Sequence, residues 1–535
     1  MFVRTKSSVQ NGVRYEYLQI VRSRREGRRV RQQVVGTLGR RDVLVASGEL
    51  DGLLRSLSKF SKRLRVVEKV RTEGLAARRA RSWGPVLVFG RLWERQGLPE
   101  VLERLAEGRR FGFSLERAVF AMALQRLCEP GSDLQGSQWA KTVEAEGFGA
   151  LELQHFYRTA GWLAEVRERL EQELFWQDRD LLGQSVDLVF LDTTSTYVYR
   201  DTETAWRRRG YSRDRRPDLP QFVLCVAVDG RGWPVAWEIF PGNTADVRAF
   251  ETVVTALRRR FQIGHVVVVA DRGMISKGSI RLLAQADAPF DYILGCRLRR
   301  EKEVCETVLG RLGRFERVCA KLEVQEVRVG RRRYVVCSNP IEAEKDAAAR
   351  QTMVAKLQET LARHGPKAVI ANRGFARFVR MAKGSVTIDE EAVRRDARLD
   401  GLFVLTTSTD RPAAEVAQTY KSLWRVERTF REEKSTIQVR PIYHHRDDTS
   451  IGHIVASFLA LRLEVDLQRR LDERGVEVSW PDLMRDLAQV QAVELDLDGQ
   501  RYRLRTDLVG AAHHAFAAAG LRPPSPVTLL GPTPN

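Results

Sequence analysis

VDLVFLDTTS (186–195) and HVVVVADRG (265–273) decide the fold. Each opens as an apolar run rich in β-branched residues and too short for a helix, the pattern of a buried strand, and each is expected to end at an aspartate, Asp192 or Asp271. Between them, QFVLCVAVD (221–229) and PVAWEIF (234–240) predict two more strands, and a helix follows over 246–260. Beyond Asp271 come a helix after Ser276 and a strand at FDYILGC (290–296). The first three strands suit an antiparallel meander, and the wholly apolar HVVVVA suits a central position.

Three strands, a helix, a strand, a helix and a strand predict an α/β fold: a ribonuclease-H-like mixed sheet flanked by helices. In such a sheet the first and fourth strands are neighbours, so the carboxylates of Asp192 and Asp271 converge. A third comes from EVAQTYKSLWRVERTFREEK (415–434), where Val416, Tyr420, Leu423, Val426 and Phe430 recur at three- and four-residue steps and predict one amphipathic helix. Glu427 sits at the edge of that stripe, placed to face inward. Three converging carboxylates suit hard cations. Two Mg²⁺ ions about 4 Å apart, with Mn²⁺ as a substitute, would activate a water or a 3′-hydroxyl and neutralise the charge at phosphorus. Asp192, Asp271 and Glu427 are therefore the expected catalytic residues and metal ligands. Asp246, in GNTAD, reads as a helix cap.

The remaining chain divides by pattern: a basic β-meander at 1–45, a helical region at 46–180 able to enter a DNA groove, and the first part of the core at 181–296. An inserted β-rich module at 297–399 follows. DGLFVLTTS (400–408) returns the chain to the sheet in a 400–475 segment that holds the glutamate helix and a strongly apolar helix, and 476–535 ends in a proline-rich tail. A formal net charge of +20 and a pI near 10.0 exceed what solubility needs and point to a polyanionic partner. The arginines bunch, near residues 22–31, at 78–81, at 331–333 and in the loop 207–216. That loop, with Arg207, Arg208, Arg209, Arg213, Arg215 and Arg216, opens near Asp192 and is expected to track a DNA backbone. Six cysteines without a CxxC pair read as reduced core residues, and no histidine has neighbours at zinc-site spacing. With no apolar leader and no membrane-length run, a soluble intracellular protein is expected.

LDTTS, ADRG and the spacing Tyr420, Glu427, Lys434 resemble the DDE transposases of bacterial insertion sequences, in the insertion-sequence-four superfamily. That family carries Tyr-x2-Arg-x3-Glu-x6-Lys on its glutamate helix. Here Leu423 takes the arginine's place, Arg425 lies two residues later and Trp424 fits the neighbouring aromatic. FPGNTAD, DGLFVLTTS and an upstream pattern at Arg126, Pro130, Ser132 and Trp139 extend the resemblance over about residues 10–515. It implies cleavage at the element's ends and joining of the freed 3′-hydroxyls to target DNA. Tyr420, Arg425 and Lys434 would contact DNA, and Trp424 would stack on a flipped base. It further implies double-stranded DNA partners (terminal inverted repeats and target), a homodimer on that DNA, no membrane, and a cytoplasmic, nucleoid-associated location. The residues alone leave open a ribonuclease-H-like nuclease without strand transfer, or a DNA-binding protein whose catalytic site has decayed.

Overall fold

The computed structural model describes residues 1–26, 29–58, 77–182, 187–261, 266–284, 290–299, 301–371, 375–382, 385–423, 426–427, 437–497 and 500–532. Two compact units divide the chain: Met1–Arg81 with Ala492–Asp507 and Pro524–Asn535, and Ser82–Gln491 with Leu508–Pro523. This division differs from the sequence-based segmentation, because residues 46–81 and part of the C-terminal region fall with the N-terminal meander.

In the smaller unit, Phe2–Gln10, Val13–Glu26 and Arg29–Arg40 form a three-stranded antiparallel sheet. A second antiparallel sheet contains Gln491–Leu497, Gln500–Arg505 and Val527–Pro532.

The larger unit is built on a nine-stranded mixed sheet. Its strands in chain order are β1 (Leu188–Tyr197), β2 (Gln221–Asp229), β3 (Pro234–Pro241), β4 (Val267–Ala270), β5 (Asp291–Gly295), β6 (Glu316–Cys319), β7 (Leu322–Val329), β8 (Arg332–Ser338) and β9 (Leu402–Thr407). Their spatial order is β6-β7-β8-β9-β5-β4-β1-β2-β3. β1, β2 and β3 make the expected antiparallel meander, β4 runs parallel to β1, and β5 runs parallel to β4. This is the ribonuclease-H-like order. The strands anticipated as an inserted module, β6 to β8, extend the same sheet through β9, which pairs antiparallel with β5.

Period-two alternation assigns the side chains of the sheet to two cores. Phe190, Leu224, Val226, Val267 and Val269 share one core with helices α1 (Leu115–Cys128), α2 (Leu153–Leu182) and the apolar α5 (Asp447–Asp472). Val189, Leu191, Val223, Cys225 and Val268 share the other with α3 (Asp246–Arg259), whose Phe250, Val253, Val254 and Leu257 recur at helical spacing. β2 and β4 are buried along their whole length, which is why both read as continuous apolar runs. The helices of the 84–182 region thus wall one face of the nine-stranded sheet.

α2 and α5 approach closely at Gly452, where any side chain would overlap the Ala160 carbonyl. Arg462 of α5 donates to both oxygens of Asp178 of α2, at 3.0 and 2.9 Å, with the Trp233 indole donating to the same carboxylate at 2.8 Å. No described helix is long and apolar enough to cross a membrane.

Candidate active site

The last parallel rung between β1 and β4 pairs Leu191 with Ala270, so Asp192 and Asp271 are the next residues on adjacent strands. Contrary to the sequence expectation, Asp192 does not end its strand: β1 runs on to Tyr197, paired antiparallel with β2 as far as Gln221. The β-branched Thr193, Thr194 and Thr196 hold that extension, and only the partner β4 stops. Asp271 does leave its strand, and its backbone carbonyl accepts from the Met274 N–H at 3.1 Å in a tight turn.

The predicted single helix carrying Glu427 is interrupted. Its first part, α4 (Ala413–Lys421), closes at Ser422, and Leu423 turns back on the Tyr420 carbonyl at 3.0 Å. The Ser422 hydroxyl donates to the Gln418 carbonyl at 3.2 Å, a local bond that competes with helix propagation. Helical residues resume at Val426 and Glu427. Val416, Leu423 and Val426 are buried, as the apolar stripe requires. Trp424, Arg425, Phe430 and Lys434 lie outside the described residues.

Asp192, Asp271 and Glu427 line one cavity of about 300 Å³ with Phe403, Tyr420, Lys421, Leu423 and Val426. The Tyr420 hydroxyl donates to Asp271 Oδ1 at 3.0 Å. It reaches that position past Gly295, where a side chain would overlap the hydroxyl, while Phe403 stacks on the tyrosine ring at 6.0 Å between centroids. Asp192 Oδ1 accepts from the Thr193 N–H at 2.7 Å. Burial pushes the Asp192 carboxyl up to about 6, and Asp271 and Glu427 add to the rise, against the opposing pull of the Thr193 N–H and of Arg213. The three carboxylates line one cavity and offer the hard oxygen donors a divalent cation takes, but their oxygens are not gathered within 4.8 Å of one another, so holding an ion between all three requires side-chain movement. Lys421, which the sequence reading passed over, brings a cation to the same cavity, its Nζ donating to the Lys321 carbonyl at 3.0 Å. Its position next to Tyr420 was the available signal.

The arginine loop does not behave as one surface. Arg207 is buried, donating to Asp447 Oδ1 at 2.7 Å and to the His445 carbonyl at 2.9 Å, so contact with a DNA backbone does not fall to it. Arg209 and Arg216 are tied to the loop itself, Arg209 through the Asp218 and Asp201 carbonyls and Arg216 through the Asp218 carboxylate. Arg208 is exposed, 3.7 Å from Glu203. Arg215 is exposed in left-handed backbone, φ 57°, and no side-chain bond holds it among the described residues. Arg213 turns inward, donating to Thr193 Oγ1 at 2.7 Å and to Asp246 Oδ2 at 3.0 Å. Asp246 is not the expected cap: Ala245 occupies the N-cap position of α3, and the Asp246 carboxylate is spent on Thr193 and Arg213 instead.

Away from the three carboxylates, Asp133, His444 and His453 are buried with their potential ligand atoms within 4.8 Å of one another, beside a cavity of about 740 Å³. Arg126 Nη2 lies 2.9 Å from His453 Nδ1, and His453 Nε2 lies 3.2 Å from the Val439 carbonyl, so both ring nitrogens are already engaged. A buried guanidinium 3.5 Å from Asp133 supplies the positive charge there, and the cluster is read as a structural network. Two residues of the upstream pattern belong here: Arg126 is the hub of the cluster, and Ser132 caps the helix that begins at Asp133.

Comparison with known proteins gives two family matches. A profile described as Transposase DDE domain matches residues 184–463, and one described as IS1634 family transposase, N-terminal domain, matches residues 3–73. No curated protein sequence matches the chain. Among solved structures, the cryo-EM structure of piggyBac transposase synaptic complex with hairpin DNA aligns at a TM-score of 0.40 and 10% identity, covering 76% of this chain and 79% of that one.

Proposed function

The chain belongs to the DDE transposases of insertion sequences, and from that premise we propose that it cuts DNA at the ends of its own element and joins the freed 3′-hydroxyls to target DNA. The observation that carries this reading is the shared cavity of Asp192, Asp271 and Glu427. These three would hold two Mg²⁺ ions, or Mn²⁺ in their place. Bound there, the metals would supply Lewis acidity toward the phosphate and ease deprotonation of the attacking hydroxyl.

The chain's own residues orient the reaction. Asp192 and Asp271 are fixed by adjacent strands, and Tyr420 holds the Asp271 carboxylate in one rotamer. Lys421 is placed to meet a phosphate oxygen. In the first step water attacks the scissile phosphodiester, a P–O bond to the water oxygen forms as the P–O3′ bond breaks, and the element's end is left with a free 3′-hydroxyl while the flanking strand keeps the 5′-phosphate. In the second, that hydroxyl attacks a target phosphodiester and displaces the target's own 3′-oxygen, so bond number is conserved. Arg208, Arg215, Arg425 and Lys434 would grip backbone phosphates, and Trp424 would stack on an unpaired base. Two ends must be paired, so a homodimer on DNA, acting in the cytoplasm at the nucleoid, belongs to the same proposal.

Duplexes carrying the element's terminal repeats, intact or pre-nicked at the 3′ end, test this. Joining to a plasmid target marks a transposase, and cutting alone a nuclease. Binding without chemistry marks a decayed enzyme. Asp192→Ala, Asp271→Ala and Glu427→Ala should each abolish both steps while end binding persists. Loss of binding in all three would count against the assignment.

A further inference from the structure

We propose that Asp246 is a positioning residue that restrains Arg213, keeping its guanidinium off the Asp192 carboxylate so that the carboxylate oxygens stay available to a divalent cation. This rests on the reading of Asp192 as a metal ligand, and goes beyond it by adding a carboxylate that acts without ligating.

Three side chains form a closed ring beside the site. Arg213 Nη2 donates to Thr193 Oγ1 at 2.7 Å and to Asp246 Oδ2 at 3.0 Å, and Thr193 Oγ1 donates to Asp246 Oδ1 at 2.8 Å. Both oxygens of Asp246 are therefore occupied. The loop is pinned as well, since the Arg213 N–H donates to Ser195 Oγ at 3.0 Å. Thr193 is the neighbour of Asp192 and gives it a backbone hydrogen bond. On the other side, a Cβ at Gly273, two residues past Asp271, would stand 3.6 Å from Asp246 Oδ2. The ring thus lies against the segments that carry both metal-site aspartates.

An arginine with that reach has two acidic partners to choose from. Among the described residues its guanidinium bonds Thr193 and Asp246 and makes no hydrogen bond to Asp192, which feels its charge only through space. A guanidinium on Asp192 would form a charge-assisted pair in the place a metal needs. Asp246 removes that competitor, and its own charge is cancelled in doing so.

Mn²⁺ affinity of the full-length, DNA-free protein, read from the EPR signal of unbound Mn²⁺, tests the idea without any activity measurement. Asp246→Asn keeps an acceptor for Thr193 but turns an amide toward Arg213, so it should weaken Mn²⁺ binding about tenfold, the scale of one charged hydrogen bond. Arg213→Ala should bind at least as tightly as wild type. The double variant should match Arg213→Ala, because no guanidinium remains to compete. Wild-type affinity in Asp246→Asn would overturn the proposal. So would an equal loss in the Arg213→Ala background, which would make Asp246 a ligand itself. Thr193→Val opens the same ring from another side and carries the test if Asp246→Asn does not fold: it should weaken Mn²⁺ binding only when Arg213 is present, and no effect would count against the restraint. Asp192→Ala separates the two readings. If it binds Mn²⁺ as wild type does, the metal site is misassigned; if it loses Mn²⁺ while Asp246→Asn does not, only the restraint fails.

Discussion

Replacing Asp192 by asparagine should stabilise the metal-free protein, and by an amount that depends on pH. The Asp192 carboxyl titrates at about 6 in the fold against an ordinary 3.8. A difference of about two pH units corresponds to about 3 kcal/mol between the charged and neutral forms. Below pH 3.8 the group is protonated in both folded and unfolded chains and costs nothing. As pH rises toward 6 the unfolded chain releases its proton while the native chain keeps it, so native stability falls, and above 6 the whole penalty is present. Asparagine removes the charge at nearly constant shape. The stability difference between Asp192→Asn and wild type should therefore grow by about 2.5 kcal/mol from pH 4 to pH 7.5 in EDTA. Urea unfolding followed by tryptophan fluorescence suits the measurement, because all ten tryptophans lie between residues 82 and 491 and report on the catalytic unit alone. Contributions from groups remote from Asp192 cancel between the two proteins. Added Mn²⁺ should reverse the order, since binding to the native state stabilises wild type and not the variant. A difference that stays flat within about 0.5 kcal/mol across that pH range, the usual error of additivity, would refute the electrostatic account of the site.

Three further outcomes are expected. Gly295→Ala should displace the Tyr420 hydroxyl from Asp271 and slow end cleavage about tenfold, the worth of a hydrogen bond to a charged group, with Tyr420→Phe giving a similar rate; an unchanged rate in both would show the bond to be idle. Arg462→Ala leaves Asp178 buried without its guanidinium between α2 and α5 and should cost about 3–5 kcal/mol in the same fluorescence assay. Affinity for end-bearing duplexes, measured by anisotropy, should fall steeply with salt through counterion release, and Arg215→Ala should flatten the slope by about one unit while Arg207→Ala should not; equal slopes for the two would mean that burial does not separate them.

Much of the catalytic sheet was legible because its strands are buried on one or both faces, which prints a period of two or an unbroken apolar run onto the sequence. The convergence of Asp192 and Asp271 followed from strand order. What escaped was decided by partners remote in sequence. Asp192 stands inside a strand rather than at its end because β2 continues where β4 stops, and a run of threonines does not announce which neighbour ends first. The break at Ser422 carries no glycine or proline, and only a serine turned back on its own helix marks it. Asp246 looked like a cap because aspartates at helix starts commonly are; the presence of Arg213 and Thr193 beside it depends on how a loop folds over the sheet. For the same reason six arginines that look alike in sequence part company, one buried, some tied within the loop, others open to solvent.

The pairing of Ser338 with Leu402 has a consequence for how such an enzyme can change. The segment between Ser338 and Leu402 leaves and re-enters the sheet at one rung between β8 and β9, so its two ends are held side by side. Asp271 lies before that segment and Glu427 after it. Lengthening, trimming or exchanging the segment leaves the strands on either side, and the register of β8 against β9, in place. The molecule thereby offers a seam at which a new recognition surface can be attached away from the strands that carry the acidic side chains.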